Sequence, residues 1–228
     1  MNTVNRQKSI IYFDLDQTLF ETCKGGEDPD LSSSPLSLSS ISALSLDEDG
    51  VLIDEHLYSK EGEQRLFCVL AIEQEKFSKF FRRCKKINST SADGSPEISI
   101  NILTNNRYEE HKTIAALQKQ HPDFECHNFA NLERQIPGKI FERNGQPWSP
   151  SKGTFMDYQY ETFHKLRGVE RENVFLVDDS EVNCLDAEKY GFTAIRMGTN
   201  IRERSIGDTY TVQKDVIFQK LNEILHTC

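Results

Sequence analysis

Short apolar runs alternate with amphipathic segments along most of this chain of 228 residues. The runs at 9–14, 98–103 and 173–179 are rich in Ile, Leu, Val and Phe and end in polar residues, as buried strands do. Further strand-like runs occupy 65–72 and 192–197. Apolar strands that alternate with amphipathic helices predict an α/β fold, with a parallel sheet covered by helices on both faces.

Apolar residues at helical spacing predict the segments that cover this sheet. Between Glu73 and Lys86 they recur at i, i+3, i+4 and i+7, the stripe of a core-facing helix: Phe77, Phe80, Phe81 and Cys84. Further helices are predicted at 108–120, at 152–167 and shortly before Tyr190-Gly191. The 152–167 helix is expected to end at Gly168 and to carry on one face Met156, Tyr160, Phe163 and Leu166. The last helix carries Ile217, Leu221, Ile224 and Leu225.

Two segments interrupt the alternation of strands and helices. Residues 21–65 contain a serine-rich stretch at 31–45, and then Asp49-Gly50 between alternating residues, which is a hairpin signal. We therefore expect a flexible insertion after the first strand, with a short β-hairpin flap. Residues 124–150 contain five prolines and glycines, so no regular element is predicted there. The chain as a whole, 1–228, is predicted to be a single domain with this insertion.

Composition and charge narrow the class of protein. Lys and Arg number 27 against 36 Asp and Glu, which gives a net charge of -9. An acidic chain is a poor partner for nucleic acid, and the basic cluster at 82–86 is interpreted as a solvated helix face. No apolar run approaches the ~20 residues of a membrane span, and the N-terminus does not resemble a signal peptide. We expect a soluble cytoplasmic protein; export without a cleavable signal, as for an injected effector, and the oligomeric state stay open.

The six cysteines exclude one class of phosphatase. They form no CxxC pair, and without an export signal they are expected to be reduced thiols. A cysteine-based tyrosine phosphatase needs an arginine six residues after its nucleophile, because the loop between them wraps the phosphate. No cysteine of this chain has an arginine at that position. No cysteine is therefore expected to take part in the chemistry.

Polar side chains of complementary kind lie where the predicted strands end. They are Asp14, Asp16 and Thr18 after the first strand, Thr104 and Asn105 after the second, Lys152 at a helix start, and Asp178 and Asp179 after the third. The carboxyl ends of parallel strands are where such sheets bind ligands. Two carboxylates two residues apart suit a nucleophile and its acid/base partner. Each residue alone also fits a turn, a helix cap or a surface charge, but their order and context together favour a site.

These segments resemble the four motifs of the haloacid dehalogenase (HAD) superfamily, whose fold is a Rossmann-like parallel sheet. The resemblance implies that Asp14 attacks phosphorus and forms an aspartyl phosphate, while Asp16 protonates the leaving oxygen and then takes a proton from water. It implies that the groups holding the phosphoryl oxygens are Thr18, Thr104, Asn105 and Lys152. It implies a Mg²⁺ ion bound by Asp14, by the Asp16 carbonyl, and by one or both of Asp178 and Asp179. Dehalogenases lack the second aspartate, so Asp16 favours phosphoryl transfer.

The resemblance leaves the substrate class open. The 21–65 insertion lacks the helical periodicity of the caps found in small-metabolite phosphatases, which favours an open site and a large substrate. Motif one is similar to that of the phosphoprotein phosphatases, with Gln17 and Phe20 as departures. Asp178-Asp179 with Asn183 is closer to the magnesium-dependent phosphatase family. We expect a phosphoric monoester hydrolase acting on phosphorylated protein, with phosphotyrosine slightly favoured. A small-metabolite or nucleic-acid-end phosphatase is the alternative, and a non-catalytic binding module is the least favoured.

Overall fold

The computed structural model describes residues 8–16, 18–24, 52–53, 67–71, 73–91, 94–105, 110–132, 141–143, 146–197 and 207–227. The strands are β1 (Ser9–Phe13), β2 (Phe20–Lys24), β3 (Leu52–Ile53), β4 (Phe67–Ala71), β5 (Ile98–Thr104), β6 (Asn128–Asn131), β7 (Phe141–Arg143), β8 (Gln146–Trp148), β9 (Val174–Asp178) and β10 (Thr193–Arg196). The helices are α1 (Gln74–Asn88), α2 (Glu110–Gln120), α3 (Lys152–Gln159), α4 (Glu181–Lys189) and α5 (Gly207–Thr227). None of these helices is both long and apolar enough to cross a bilayer.

Five parallel strands form the central sheet, in the order β10-β9-β1-β5-β6. The chain runs outward from β1 through β5 to β6, returns by way of α3 to β9, and then runs outward to β10. Successive strands are thus added on one side of β1 up to β6 and on the other side from β9 onward, so the strand order reverses between β1 and β9. In open parallel sheets, ligands bind at the carboxyl ends of the two strands that flank such a reversal.

Alternating side chains of the sheet belong to two separate cores. Ile11 and Phe13 of β1 pack against α1, α2 and α5. Ile10 and Tyr12 of the same strand face the other side, where they pack with residues of α3 and α4. Because both faces of β1 are covered, its sequence is apolar from Ile10 to Phe13. The predicted α/β parallel sheet with helices on both faces is confirmed.

The aromatic stripe of α1 forms the centre of the first core. Phe77, Phe80 and Phe81 all meet the ring of Phe13 edge-on, with ring centroids 5.8 to 6.2 Å apart. All four predicted stripe residues of α1 are buried, and so are the four predicted apolar residues of α5. Edge-to-face aromatic contacts of this kind add about 0.5–1.5 kcal/mol each beyond area burial. The periodicity of the sequence therefore identified the helices on this face correctly.

The segment 152–167 departs from the predicted single helix. The α-helical part ends at Gln159, and the chain continues as a π-helical turn, Tyr160–His164, and a 3₁₀ turn, Lys165–Arg167. Gly168 then ends the segment with a φ of 73°, in the left-handed region where glycine is favoured, as predicted.

The π-helical turn changes which side chains of this segment face the core. Met156 and Tyr160 are buried, but Phe163 is 45% and Leu166 82% exposed. A π turn inserts one residue, so His164 takes the inward position that a regular helix would give to Phe163. The prediction that all four apolar residues line one face is therefore wrong for the last two.

Regular elements occur within 124–150, where the sequence predicted none. Strand β6 is the edge of the central sheet and pairs with β5, with Thr104 opposite Asn131. Strands β7 and β8 form an antiparallel ribbon in which Pro147 lies opposite Glu142. The prediction failed because β6 is short and begins and ends with Asn. A two-stranded ribbon also leaves N–H groups of its outer edges unpaired, so it tolerates proline.

The insertion after β1 contains a small antiparallel sheet in the order β2-β4-β3. Cys23 and Ile53 both lie opposite Cys68 in this sheet. The strand predicted at 65–72 is confirmed as β4. The serine-rich stretch and the Asp49-Gly50 turn lie outside the described residues. Within the described part of 21–65 the secondary structure is β-strand, as the sequence indicated.

Candidate active site

Asp14 lies at the carboxyl edge of the sheet, where the strand order reverses. Its main-chain N–H donates to the Val177 carbonyl at 2.9 Å, so the residue is still tied to β9 after β1 has ended. The Leu15 carbonyl then accepts from the N–H groups of Thr18 (3.2 Å) and Leu19 (3.0 Å), which turns the chain away. This turn leaves the Asp14 side chain at the edge of the sheet, with only 7% of the residue exposed.

Lys152 connects the ends of the two strands that flank the reversal. Its Nζ atom lies 2.7 Å from Asp14 Oδ1 and 2.7 Å from Asp178 Oδ2. Lys152 is 2% exposed and Asp178 is completely buried. A lysine is almost never buried to this degree unless it is paired. Lys152 is therefore part of a buried ion-pair cluster with the carboxylates of β1 and β9.

Three further hydrogen bonds hold the carboxylate of Asp178. The Ser180 N–H donates to Oδ1 at 2.8 Å, and the Asn183 side-chain amide donates to Oδ1 at 3.1 Å and to Oδ2 at 3.2 Å. Such bonds are what make a buried charged group tolerable. From the sequence, Asn183 was noted only as part of the Asp178-Asp179 motif and was given no role of its own. The sequence does contain a pattern that places Asn183 near Asp178. Ser180 caps α4, and Asn183 follows in the first helical turn, close to the end of β9.

Asp179 adds a third carboxylate to this cluster. Ligand atoms of Asp14, Asp178 and Asp179 all lie within 4.8 Å of one another. Burial and then the charge of Asp178 raise the pKa of Asp179 to about 6. Burial raises the pKa of Asp14 to about 7, with Asp178 and Asp16 adding to the effect, although the ion pair with Lys152 opposes it. The cluster therefore holds more negative charge than Lys152 neutralises.

Lys152 itself is stabilised as an ammonium by this excess of negative charge. Burial opposes its charge, but Asp14 and Asp178 outweigh burial and raise the Lys152 pKa above its ordinary value. Lys152 is therefore positively charged at neutral pH and offers its hydrogen-bond donors to any anionic group that enters the crevice.

The donor set of this cluster fits a divalent cation such as Mg²⁺. Mg²⁺ prefers carboxylate oxygens and completes its shell with waters and phosphate oxygens. When all three clustered carboxylates are ionised, they carry two more negative charges than the single ammonium of Lys152 offsets. A divalent cation would balance this excess. The residues able to hold it are Asp14, Asp178 and Asp179.

The remaining predicted residues lie around the cluster. Asp16 is half-buried, and its negative charge contributes to the raised pKa values of Asp14 and Asp179. Thr104 is the last residue of β5 and is completely buried. Thr18 is also completely buried, and its hydroxyl has no hydrogen-bond partner among the described residues. Asn105 follows β5 and is exposed. The structure thus brings Asp14, Asp178, Asp179 and Lys152 into direct proximity, with Asp16 close enough to raise the pKa values of Asp14 and Asp179.

No family model matches the chain, and no curated protein matches it. Solved structures give weak similarities. The HAD domain of the effector protein Lem4 from Legionella pneumophila is 16% identical, with 84% of this chain and 86% of that one covered and a TM-score of 0.43. A HAD family enzyme from Bacteroides thetaiotaomicron, in complex with magnesium and inorganic phosphate, is 14% identical, with 83% and 93% covered and a TM-score of 0.41. The fission yeast RNA polymerase II CTD phosphatase Fcp1 is 12% identical, with 77% and 38% covered and a TM-score of 0.36.

Proposed function

We propose that this chain is a Mg²⁺-dependent phosphatase of the HAD type, with Asp14 as its nucleophile. The observation that carries the proposal is the buried contact of Lys152 Nζ with both Asp14 and Asp178 at 2.7 Å, beside Asp179 at the edge of the sheet. A carboxylate that approaches a phosphate dianion meets strong repulsion between like charges. A fixed ammonium next to the nucleophile reduces that repulsion, so the arrangement suits attack on phosphorus.

In the proposed first step, a carboxylate oxygen of Asp14 attacks phosphorus and forms a new P–O bond. The bond from phosphorus to the leaving oxygen breaks, and that oxygen takes a proton from Asp16. In the second step, water attacks the phosphorus of the aspartyl phosphate and gives its proton to Asp16. The P–O bond to Asp14 then breaks, inorganic phosphate is released, and both carboxyl groups return to their starting states.

The chain's own residues supply most of the charge stabilisation in this mechanism. The Lys152 ammonium stabilises the ionised form of Asp14 and can donate to an equatorial oxygen of the phosphoryl group. The buried hydroxyls of Thr18 and Thr104 are further candidate donors to phosphoryl oxygens, as the HAD resemblance implies. Bound Mg²⁺ would favour ionised Asp14 and offset the charge of the phosphoryl oxygens. Its proposed protein ligands are Asp14, the Asp16 carbonyl, Asp178 and Asp179.

For the substrate, we favour phosphorylated protein, with phosphotyrosine ahead of phosphoserine. The described strands between β1 and α1 form an antiparallel sheet, whereas small-metabolite phosphatases of this type use helical caps. Asp14 and Lys152 are also deeply buried, with 7% and 2% exposure. An aryl phosphate projects its phosphorus far from the peptide main chain, so it reaches a deep nucleophile more readily than phosphoserine does. A panel of phosphopeptides and phosphorylated metabolites separates these substrates by their kcat/KM values.

The experiment that tests the proposed function is hydrolysis of p-nitrophenyl phosphate by the wild type and by Asp14→Asn. We expect Mg²⁺-dependent turnover by the wild type, loss of activity with EDTA, and no activity above background for the variant, because an amide does not attack phosphorus. Ca²⁺ should support turnover poorly, because its larger and looser coordination shell misplaces the nucleophile. Thiol alkylation should leave the activity intact. Wild-type turnover by Asp14→Asn would refute the proposal.

A further inference from the structure

Helix α4 contacts Asp178 and the residue that follows Lys152, through two of its own residues one turn apart. Asn183 donates to both carboxylate oxygens of Asp178. Three residues later on the same helix, Oδ2 of Asp186 accepts a hydrogen bond of 2.8 Å from the main-chain N–H of Gly153. Residues three apart lie on one face of a helix. One face of α4 therefore touches the end of β9 and the start of α3.

The hydrogen bond to Asp186 fixes the first turn of α3. Ser151 is the N-cap, and its hydroxyl accepts from the Thr154 N–H at 3.3 Å. The Gly153 N–H is another first-turn donor that has no partner within its own helix. Asp186 supplies that partner, and its negative charge is favourable at a helix N-terminus. Because Lys152 directly precedes Gly153, this bond holds the main chain from which the Lys152 side chain extends.

The contact between α3 and α4 leaves no space for a side chain at position 153. A Cβ atom on Gly153 would lie 2.6 Å from the Asp186 carbonyl oxygen and 2.7 Å from its Oδ2. Gly153 does not have a positive φ, so its backbone conformation does not require glycine. Glycine is required here because α3 and α4 approach each other closely at this position. A larger residue at 153 would push α3 away from α4 and move Lys152 with it.

We infer that Asp186 is a positioning residue for Lys152, and that α4 sets the spacing between the ammonium and the carboxylates it bridges. Asn183 holds Asp178 at one end of this arrangement, and Asp186 holds Lys152 through Gly153 at the other. The activity readout of this inference rests on the proposed phosphatase function, but the contact itself does not. A displacement of about 1 Å in a positioned group can cost about 100-fold in rate.

Four variants test the positioning role with p-nitrophenyl phosphate and Mg²⁺. Asp186→Ala and Gly153→Ala should lower kcat by roughly 10- to 100-fold and change KM by less than about threefold, since they displace a group that acts mainly in the transition state. Asp186→Asn keeps an acceptor oxygen for the Gly153 N–H and should stay within about threefold of wild type. Glu188→Gln removes an exposed carboxylate from the same helix and is the matched control.

A second readout does not depend on turnover. The ¹⁵N resonance of the Lys152 ammonium, identified by its absence in Lys152→Met, should shift or broaden in Asp186→Ala but not in Asp186→Asn. The inference is overturned if that resonance is unchanged, if both alanine variants match Glu188→Gln, or if Asp186→Asn falls as far as Asp186→Ala. An unfolded Asp186→Ala would also overturn it, because the carboxylate would then serve the fold. If the wild type hydrolyses nothing, the proposed function fails, while the resonance still tests the positioning.

Discussion

Within the described part of the chain, two clusters place one cation between two carboxylates, and they differ in burial and in charge balance. Lys152 bridges Asp14 and Asp178 in buried surroundings, with a third carboxylate within 4.8 Å. Arg171 bridges Asp157 and Glu161 on the outside of the helical layer, where all three side chains are 29% to 46% exposed. The first cluster has an excess of negative charge, whereas Lys165 pairs with Glu161 and balances the second.

The surroundings of the two cations point to different roles. The Arg171 guanidinium lies 4.2 Å from the centroid of the Tyr160 ring and 5.1 Å from that of Phe192, and it also donates to the Tyr190 carbonyl at 2.8 Å. Through these contacts the guanidinium stabilises the packing of the segments around Tyr160, Tyr190 and Phe192 against one another. An uncompensated group of buried carboxylates opposes folding, and such groups occur where a site needs them. The Arg171 cluster is therefore structural, whereas the Lys152 cluster is a candidate catalytic site.

Removal of the buried cation should have the largest effect. Lys152→Met is expected to lower kcat/KM for p-nitrophenyl phosphate by about 1000-fold, because the fixed charge beside the nucleophile is lost. It should also destabilise the metal-free protein by roughly 3 kcal/mol at neutral pH, since Asp14 and Asp178 lose their partner. Steady-state kinetics and denaturant unfolding in EDTA measure the two effects. A Lys152→Met enzyme with near-normal turnover would remove the distinction between the clusters.

The pH dependence of stability should also differ between the clusters. Burial raises the pKa of Asp14 to about 7 in the folded protein, from an ordinary value of 3.8. Its protonated form is therefore favoured by folding, and the stability it contributes is present below about pH 4 and lost as the pH rises through about 7. In EDTA, the Tm of the wild type should fall relative to that of Asp14→Asn by roughly 5 °C between pH 5 and pH 8.

Glu161 provides the control for this pH experiment. The hydrogen bond from Lys165, and the nearby Arg171, lower the pKa of Glu161 below its ordinary value. The carboxylate is then ionised in both the folded and the unfolded state above about pH 5.5. The Tm difference between the wild type and Glu161→Gln should accordingly stay flat from pH 5.5 to pH 8. If the Tm differences for Asp14→Asn and Glu161→Gln changed with pH to the same extent, burial would have no special effect on the titration of Asp14.

Removal of the exposed cation should have the smallest effect on chemistry. Arg171→Met is expected to cost about 1–2 kcal/mol of stability, because it breaks two ion pairs and two ring contacts. Its kcat/KM should stay within about twofold of the wild type, since the contacts of Arg171 with described residues are to Asp157, Glu161, Tyr190 and two aromatic rings, outside the candidate site. Denaturant unfolding and the p-nitrophenyl phosphate assay measure both quantities. A large loss of activity without a loss of stability would show that the second cluster also serves the chemistry.

Much of the fold was predictable because burial on both faces gives an unambiguous sequence pattern. β1 is apolar from Ile10 to Phe13 and β9 from Val174 to Val177, and the stripe of α1 fits a regular helix. Strand β6 was missed because it is a four-residue edge strand that begins and ends with Asn. The exposure of Phe163 was missed because helical periodicity assumes a constant turn, and the π-helical turn at Tyr160–His164 breaks that assumption.

The candidate site was predictable to the extent that its residues follow strand ends. The carboxyl ends of parallel strands meet at one edge, so Asp14 and Asp178 could be expected to approach each other without a structure. Asn183 lies only five residues after Asp178, so its contact with that carboxylate could have been expected as well. Asp186 could not be assigned a role in the same way, because it acts through Gly153, 33 residues earlier in the chain, and no local sequence pattern indicates that contact.

The central claim is that Asp14 carries the phosphoryl group during turnover, and chemical trapping tests it most directly. Wild-type protein and Asp16→Asn are mixed with p-nitrophenyl phosphate and Mg²⁺, quenched in acid, reduced with borohydride and analysed by peptide mass spectrometry. Borohydride converts an aspartyl phosphate to homoserine. Homoserine is expected at position 14, with more in Asp16→Asn, where release of the phosphoryl group is slower. Turnover that leaves Asp14 unmodified, or that places the phosphoryl group on another residue, would contradict the account.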